Sequence, residues 1–242
     1  MRTSRLVVSA GLAAALILGA IGCSKKTPAS IHLFNGKDLA GWTAYAKGDN
    51  PDAAKTWGVA NGVITDTGKP AGYLRTAQRY SNYRLTVEWR WLEAPVDAKG
   101  KIKRRNSGVL LHMQDEDAVW PKSIEAQLME GNAGDFWIIG GVDTNEHKAA
   151  RETAVAAAGD DEKAKQKALK NRRLAKKSPS SEKPAGEWNT YEIVCAGDTV
   201  TITVNGVEQN RVTGVTVSEG HICLQSEGAP MEFRNVILTP LK

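Results

Sequence analysis

Two short runs hold most of the side chains in this sequence that could move a proton or bind a hydroxyl: Asn106-Ser-Gly-Val-Leu-Leu-His112 and Ser123-Ile-Glu-Ala-Gln-Leu-Met-Glu130. Both alternate at the two-residue period of a β-strand, so side chains two apart share a face. Asn106, Gly108, Leu110 and His112 fall on one side of the first run, and Val109, Leu111 and Met113 on the other. In the second, Glu125 and Gln127 point one way while Ile124, Ala126 and Leu128 enter a core. Adjacent strands would thus join His, Asn, Glu and Gln in a polar floor. Glu130 falls opposite Glu125 under strict alternation, whereas a bulge near Met129 would align the two. Trp137, between Gly134-Asp135 and Gly140-Gly141, is the aromatic best placed to stack on a ligand, and Gln225 and Glu227 share a face further on. His112, Glu125 and Glu130 could also hold a divalent metal, although no diagnostic ligand spacing is present.

Such a floor needs neighbouring strands. Tyr83, Leu85, Val87, Trp89 and Trp91 alternate with Arg84, Thr86, Glu88 and Arg90, giving a strand with one core face and one solvated face. Asn61-Gly62 and Asn205-Gly206 supply the positive φ angles of two-residue hairpin turns. Further strands are expected at 31–42, 187–195, 220–228 and 231–238, with Trp42, Trp57, Trp89, Trp91 and Trp188 in the core. Many strands separated by turn signals indicate an all-β sandwich of two antiparallel sheets. The stretch 144–185 interrupts the pattern. It is rich in Ala, Lys, Glu and Arg, lacks a sustained apolar stripe and contains Gly159 and Pro179, so a frayed helix or disordered insertion is expected.

The 242 residues and 41% apolar content suffice for a substantial core. The net charge of +5 has a local origin, because 148–183 holds 11 Lys and Arg against 5 Asp and Glu, leaving the remainder near neutral. Basic residues are not interleaved with a folded aromatic surface, which argues against nucleic acid as a partner. Residues 1–22 read as a signal peptide: Arg2 and Arg5 precede an apolar run, which ends in Ala20-Ile-Gly-Cys23. Cys23 is the expected lipidation site, 23–30 a tether, and 31–242 a single domain exported to the cell envelope, on its periplasmic or outer-membrane face. Cys195 and Cys223 could pair or remain free thiols.

Several phrases, in order, resemble the exported 3-keto-disaccharide hydrolase domain family: Leu33-Phe-Asn-Gly-Lys-Asp-Leu-Ala-Gly-Trp42, Asn106-Ser-Gly-Val-Leu-Leu-His112, Glu125-Ala-Gln-Leu128, Gly186-Glu-Trp-Asn189, Val204-Asn-Gly206, Gly220-His-Ile-Cys-Leu-Gln225 and Glu232-Phe-Arg-Asn235. The resemblance implies a concanavalin A-like jelly roll. It also implies action on glycosides already oxidised to a ketone at carbon 3, as a 1,2-lyase or a 3-keto-2-hydroxyglucal hydratase. The 144–185 insertion departs from the family pattern.

For that chemistry Glu125 or His112 is the expected base, Gln127 and Asn106 bind hydroxyls or the developing oxyanion, and Glu130 serves the leaving group. A competing reading comes from Glu125-Ala-Gln-Leu-Met-Glu130, which resembles the laminarinase-type Glu-x-Asp-x-x-Glu motif of retaining glycosidases, with Gln127 where that motif has Asp. A non-catalytic carbohydrate-binding lipoprotein would use the same hydroxyl-binding groups and aromatic platform.

Overall fold

The computed structural model describes residues 29–48, 55–94, 96–101, 104–114 and 116–241. The expected signal segment, Cys23 and most of the expected tether lie outside the described residues. In chain order the strands are β1 (Ile31–His32), β2 (Trp42–Ala46), β3 (Trp57–Ala60), β4 (Val63–Asp66), β5 (Gly72–Thr76), β6 (Tyr80–Ser81), β7 (Tyr83–Trp91), β8 (Gly108–Met113), β9 (Ser123–Gln127) and β10 (Phe136–Ile139). Then come helices α1 (Asn145–Ala157) and α2 (Glu162–Lys170), followed by β11 (Arg173–Leu174), β12 (Asn189–Ala196), β13 (Thr199–Val204), β14 (Val207–Val212), β15 (Glu219–Ser226) and β16 (Met231–Pro240).

These strands form two antiparallel sheets. One runs β14-β13-β12-β7-β16-β4-β3 with β1 added on β16; the other runs β11-β10-β9-β8-β15-β5-β2 with β6 added on β15. The expected two-residue turns are present, with φ of +51° and +77° at Asn61-Gly62 and +48° and +82° at Asn205-Gly206. Strand β7 alternates as its sequence dictates, burying Tyr83, Leu85, Val87, Trp89 and Trp91. These meet Val109, Leu111, Ile124, Ala126, Phe136, Ile222 and Leu224 of the second sheet in one inter-sheet core. Truncating such a side chain, as in Leu111→Ala, costs about 2–5 kcal/mol.

Two expectations about aromatic and sulfur side chains are settled. Trp57, Trp89 and Trp91 are core residues and Trp42 packs against the core from a partly buried position. Trp188 departs from expectation: it lies on the outer face of the first sheet, with the guanidinium of Arg234 at 4.0 Å and that of Arg90 at 4.8 Å from its ring. Cys195 and Cys223 are free and buried, in strands of opposite sheets.

Of the two alternatives for 144–185 the helical one holds, as two capped helices without fraying. Thr144 caps α1 by accepting from the His147 amide at 3.0 Å, and Asp161 caps α2 by accepting from the amides of Lys163 and Ala164. The buried His147 ring joins Asp143 (2.7 Å) to the Asn171 carbonyl (2.8 Å). Glu146 accepts from the backbone and hydroxyl of Thr213. β11 extends the second sheet by pairing with β10, and Arg173 adds an ion pair to buried Asp135 at 2.6 Å. The anchoring groups, Asp135 and Thr213, are remote in sequence, so composition read within the insertion alone does not reveal them.

Candidate functional site

The site lies on the face of the second sheet turned away from the first. Strands β8 and β9 pair with Gly108 opposite Gln127 and Leu110 opposite Glu125, so alternation sends Glu125 and Gln127 outward while Ile124, Ala126 and Leu128 enter the core. The register continues past the strand end: the Leu128 amide donates to Ser107 O at 2.8 Å and that of Glu130 to Arg105 O at 3.0 Å. No residue is inserted. Met129 therefore follows Gln127 on the site face and Glu130 turns away, where Arg105 holds its carboxylate at 2.8 Å. The bulge that would have aligned Glu130 with Glu125 is absent, and Glu130 does not line the cavity.

A bulge does occur one strand over. Leu110 pairs with Cys223 and Met113 with His221, so Leu111 and His112 together oppose Ile222, and His112 takes φ +53°. The extra residue reverses the facing. Met113 joins Leu110 on the site face, in a cluster with Tyr73, Ile139 and Cys223, while His112 turns inward. Its ring meets Tyr83 of β7 edge-on, centroids 5.7 Å apart, and its Nδ1 lies 3.0 Å from Val217 O, to which the N–H donates. Burial pushes its pKa below the usual imidazole value. His112 is thus a neutral interior side chain and corrects the expectation of a shared face with Asn106.

What gathers instead is a cavity of about 240 Å³ lined by Asn106, Glu125, Gln127 and Trp137, as expected, together with Trp120, Met129, Ile139, Arg172 and Glu227. Gln225 lies on the same face of its strand and is buried, but does not line this cavity. Buried oxygens of Asn106, Glu125 and Gln225 have no hydrogen-bond partner among the described residues, an arrangement suited to a polar ligand. Gln127 Oε1 accepts from the amides of Leu128 and Met129, both at 2.8 Å, which leaves its NH2 group to face the cavity.

Glu125 is fully enclosed. Burial, reinforced by the charge of Glu227 and opposed by Arg172, pushes its pKa up to about 8. Glu227 is also raised by burial, with a hydrogen bond from the Trp120 indole acting in the opposite direction. Gly108 makes room for the first carboxyl: a Cβ there would stand 2.8 Å from Glu125 Cγ and Cδ and closer still to Oε1. Trp120 projects from the loop formed by residues 116–122 and is 52% exposed. That loop is held against the sheet by Asp117, which accepts from the Tyr73 hydroxyl at 2.6 Å. Trp137, opposite Glu125 on β10, carries the Arg172 guanidinium 5.9 Å from its ring.

Sequence reasoning did not assign Trp120, Arg172 or Glu227. An aromatic within a polar loop was a signal for Trp120, and the two-residue spacing from Gln225 a signal for Glu227. Arg172 gave none, because its placement depends on the fold of the insertion. Among the described residues, no three His, Cys, Asp or Glu side chains converge as metal ligands, and His112, Glu125 and Glu130 point in three directions.

A cavity that holds two carboxyls between exposed Trp120 and half-buried Trp137, on a two-sheet jelly roll, is the kind of site a carbohydrate-active protein carries. Residues 29–239 match the 3-keto-alpha-glucoside-1,2-lyase-like domain, and the chain belongs to that family. No curated protein matches it in sequence. Its fold is similar to that of a presumptive glycosyl hydrolase from Parabacteroides distasonis ATCC 8503, at 20% identity and TM-score 0.58, covering 88% of this chain and 94% of that one. It is also similar to Bacillus licheniformis beta-glucanase, at 12% identity and TM-score 0.55 with 90% and 100% covered. A third likeness is to carbohydrate binding module CBM66 from Bacillus subtilis, at 10% identity and TM-score 0.51 with 81% and 93% covered.

Proposed function

We propose that the protein cleaves 3-keto-glycosides by elimination across carbons 1 and 2, and that the same site can hydrate the resulting enone. The carrying observation is the enclosed Glu125 carboxyl beside Glu227 and Arg172 in a tryptophan-flanked cavity. A ketone at carbon 3 acidifies the hydrogen on carbon 2. Glu227, the more exposed carboxylate, takes that proton, and the electron pair left on carbon 2 becomes an enolate with its charge on the carbon 3 oxygen. Arg172 and the Gln127 NH2 group stabilise this oxyanion. As the carbonyl re-forms, a double bond forms between carbons 1 and 2 and the carbon 1–oxygen bond breaks. Glu125, held neutral up to about pH 8, protonates the departing oxygen. Hydration runs the same proton movements in reverse with water, placing hydroxyl on carbon 1 and hydrogen on carbon 2.

The sequence alone offered Glu125 or His112 as the base; the enclosure of Glu125 favours the acid role for it. The two roles separate experimentally. Glu125→Gln should lower turnover of an alkyl 3-keto-glucoside by about 10²–10⁴-fold, with most of the rate recovered on a 4-nitrophenyl leaving group that needs no acid. Equal loss on both substrates would return the base role to Glu125. Product analysis with a 3-keto-disaccharide and its unoxidised parent tests the reaction itself. Release from the keto sugar alone supports elimination, release from the parent supports an ordinary glycosidase, and binding of both without release supports a carbohydrate-binding module. Lipidation at Cys23 would place this activity at the cell envelope.

A further inference from the structure

The carboxylate cavity, at about 240 Å³, has room for one sugar ring, less than the space a drug-sized ligand occupies. The remainder of any glycoside must leave it. Directly alongside is a larger groove of about 790 Å³ that shares Trp137 and Arg172 as walls and is otherwise formed by α2, including Lys163, Gln166, Lys167 and Lys170, and by Asn171 just past its end. These positions recur at helical spacing and so form one stripe. Glu162 also borders the groove, but its carboxylate is engaged by Lys165 at 2.7 Å.

The stripe has features that helix stability does not account for. Lys163 and Lys167 stand four apart, where like charges repel, and Lys163 occupies the first turn, where a cation opposes the helix dipole. Only Lys167 and Lys170, in the last turn, are favoured by that dipole. The groove is nevertheless firmly built. The Ile138 amide, next to Trp137, donates to Arg172 O at 2.9 Å, and the carbonyl of Asn171, which ends α2, is held by His147.

We infer that this groove is a subsite for an anionic group on the leaving portion of the substrate, bound by Lys163 and Lys167 while Trp137 stacks on the ring that bears it. The inference rests on the glycoside-cleaving reading of the adjoining cavity. Carboxylate and phosphate share the required chemistry, and the positive stripe selects either over a neutral group.

The test compares neutral 4-methylphenyl, 4-carboxyphenyl and 4-phosphonophenyl glucosides, each unoxidised for binding and as the 3-keto form for turnover. Binding is read from intrinsic tryptophan fluorescence of the full chain at about 20 mM and about 300 mM NaCl, conditions that span weak and strong screening. The anionic glucosides should bind about tenfold more tightly at low salt, with the advantage shrinking at high salt. Lys163→Ala with Lys167→Ala should remove most of it; both side chains are exposed and alanine favours helix, so α2 persists. Lys163→Glu with Lys167→Glu should reverse it. The relative strength of the two anionic arms identifies carboxylate or phosphate as the preferred group. Equal binding of neutral and anionic probes, or an advantage unaltered in both variants, would overturn the subsite. Cleavage of all three 3-keto forms without anion preference would remove the subsite and leave the reaction standing. Anion-selective binding without keto-sugar cleavage would do the opposite.

Discussion

Replacing Glu125 by Gln should make the protein more stable, and increasingly so as pH rises. The carboxyl ionises at about 8 in the folded protein against an ordinary value of 4.5, because burial and Glu227 disfavour its charge. Between those values the unfolded chain has released the proton while the folded chain retains it, so the unfolded state binds fewer protons and stability falls with increasing pH. The favourable contribution of the neutral acid is complete below about pH 4.5 and lost by about pH 8. At 1.36 kcal/mol for each unit, the full cost is about 5 kcal/mol. Glutamine preserves the shape and polarity of the neutral acid and cannot ionise. Below pH 5 the two proteins should differ by less than about 1 kcal/mol, and at pH 9 the variant should unfold roughly 10 °C or more above the parent for a chain of this size. Calorimetry across pH 5 to 9 measures the difference. A gap that stays flat with pH, or a variant less stable at pH 9, would refute the enclosure argument. Glu227→Gln alone should reduce the pH slope, since it removes the second-largest cause of the shift.

Two substitutions test the placement of neighbouring groups. Gly108→Ala would drive a methyl group into the Glu125 side chain, so turnover should drop about 10²-fold while the folded state persists; an unchanged kcat would show that the carboxyl position is unimportant. His112→Ala should lower Tm through loss of the Tyr83 contact and the Val217 hydrogen bond, at about 2–3 kcal/mol, while kcat of the folded protein changes no more than a few-fold. A loss comparable to that of Glu125→Gln would place His112 back in the chemistry.

The sandwich was legible because its determinants are local. The alternation in β7 and the two Asn-Gly turns depend only on neighbouring residues, and the same logic correctly put Glu125 and Gln127 on one face. Strict alternation misled at His112, where one extra residue in β8 exchanges the two faces, and a bulge has no reliable local signal. The opposite error concerned Glu130: a bulge was conceivable, but the backbone pairing of Leu128 with Ser107 and of Glu130 with Arg105 continues the ladder unbroken. Helix was one of the two alternatives for the insertion, but not its firm anchoring, because that comes from capping and contacts to Asp135 and Thr213, which stand in for the apolar stripe it lacks. The sequence by itself therefore determined the sheet architecture, the family and one enclosed carboxylate. Tertiary structure alone decided that carboxylate's neighbours, since Trp120, Arg172 and Glu227 come from three separate segments whose approach is fixed by long-range pairing rather than spacing along the chain.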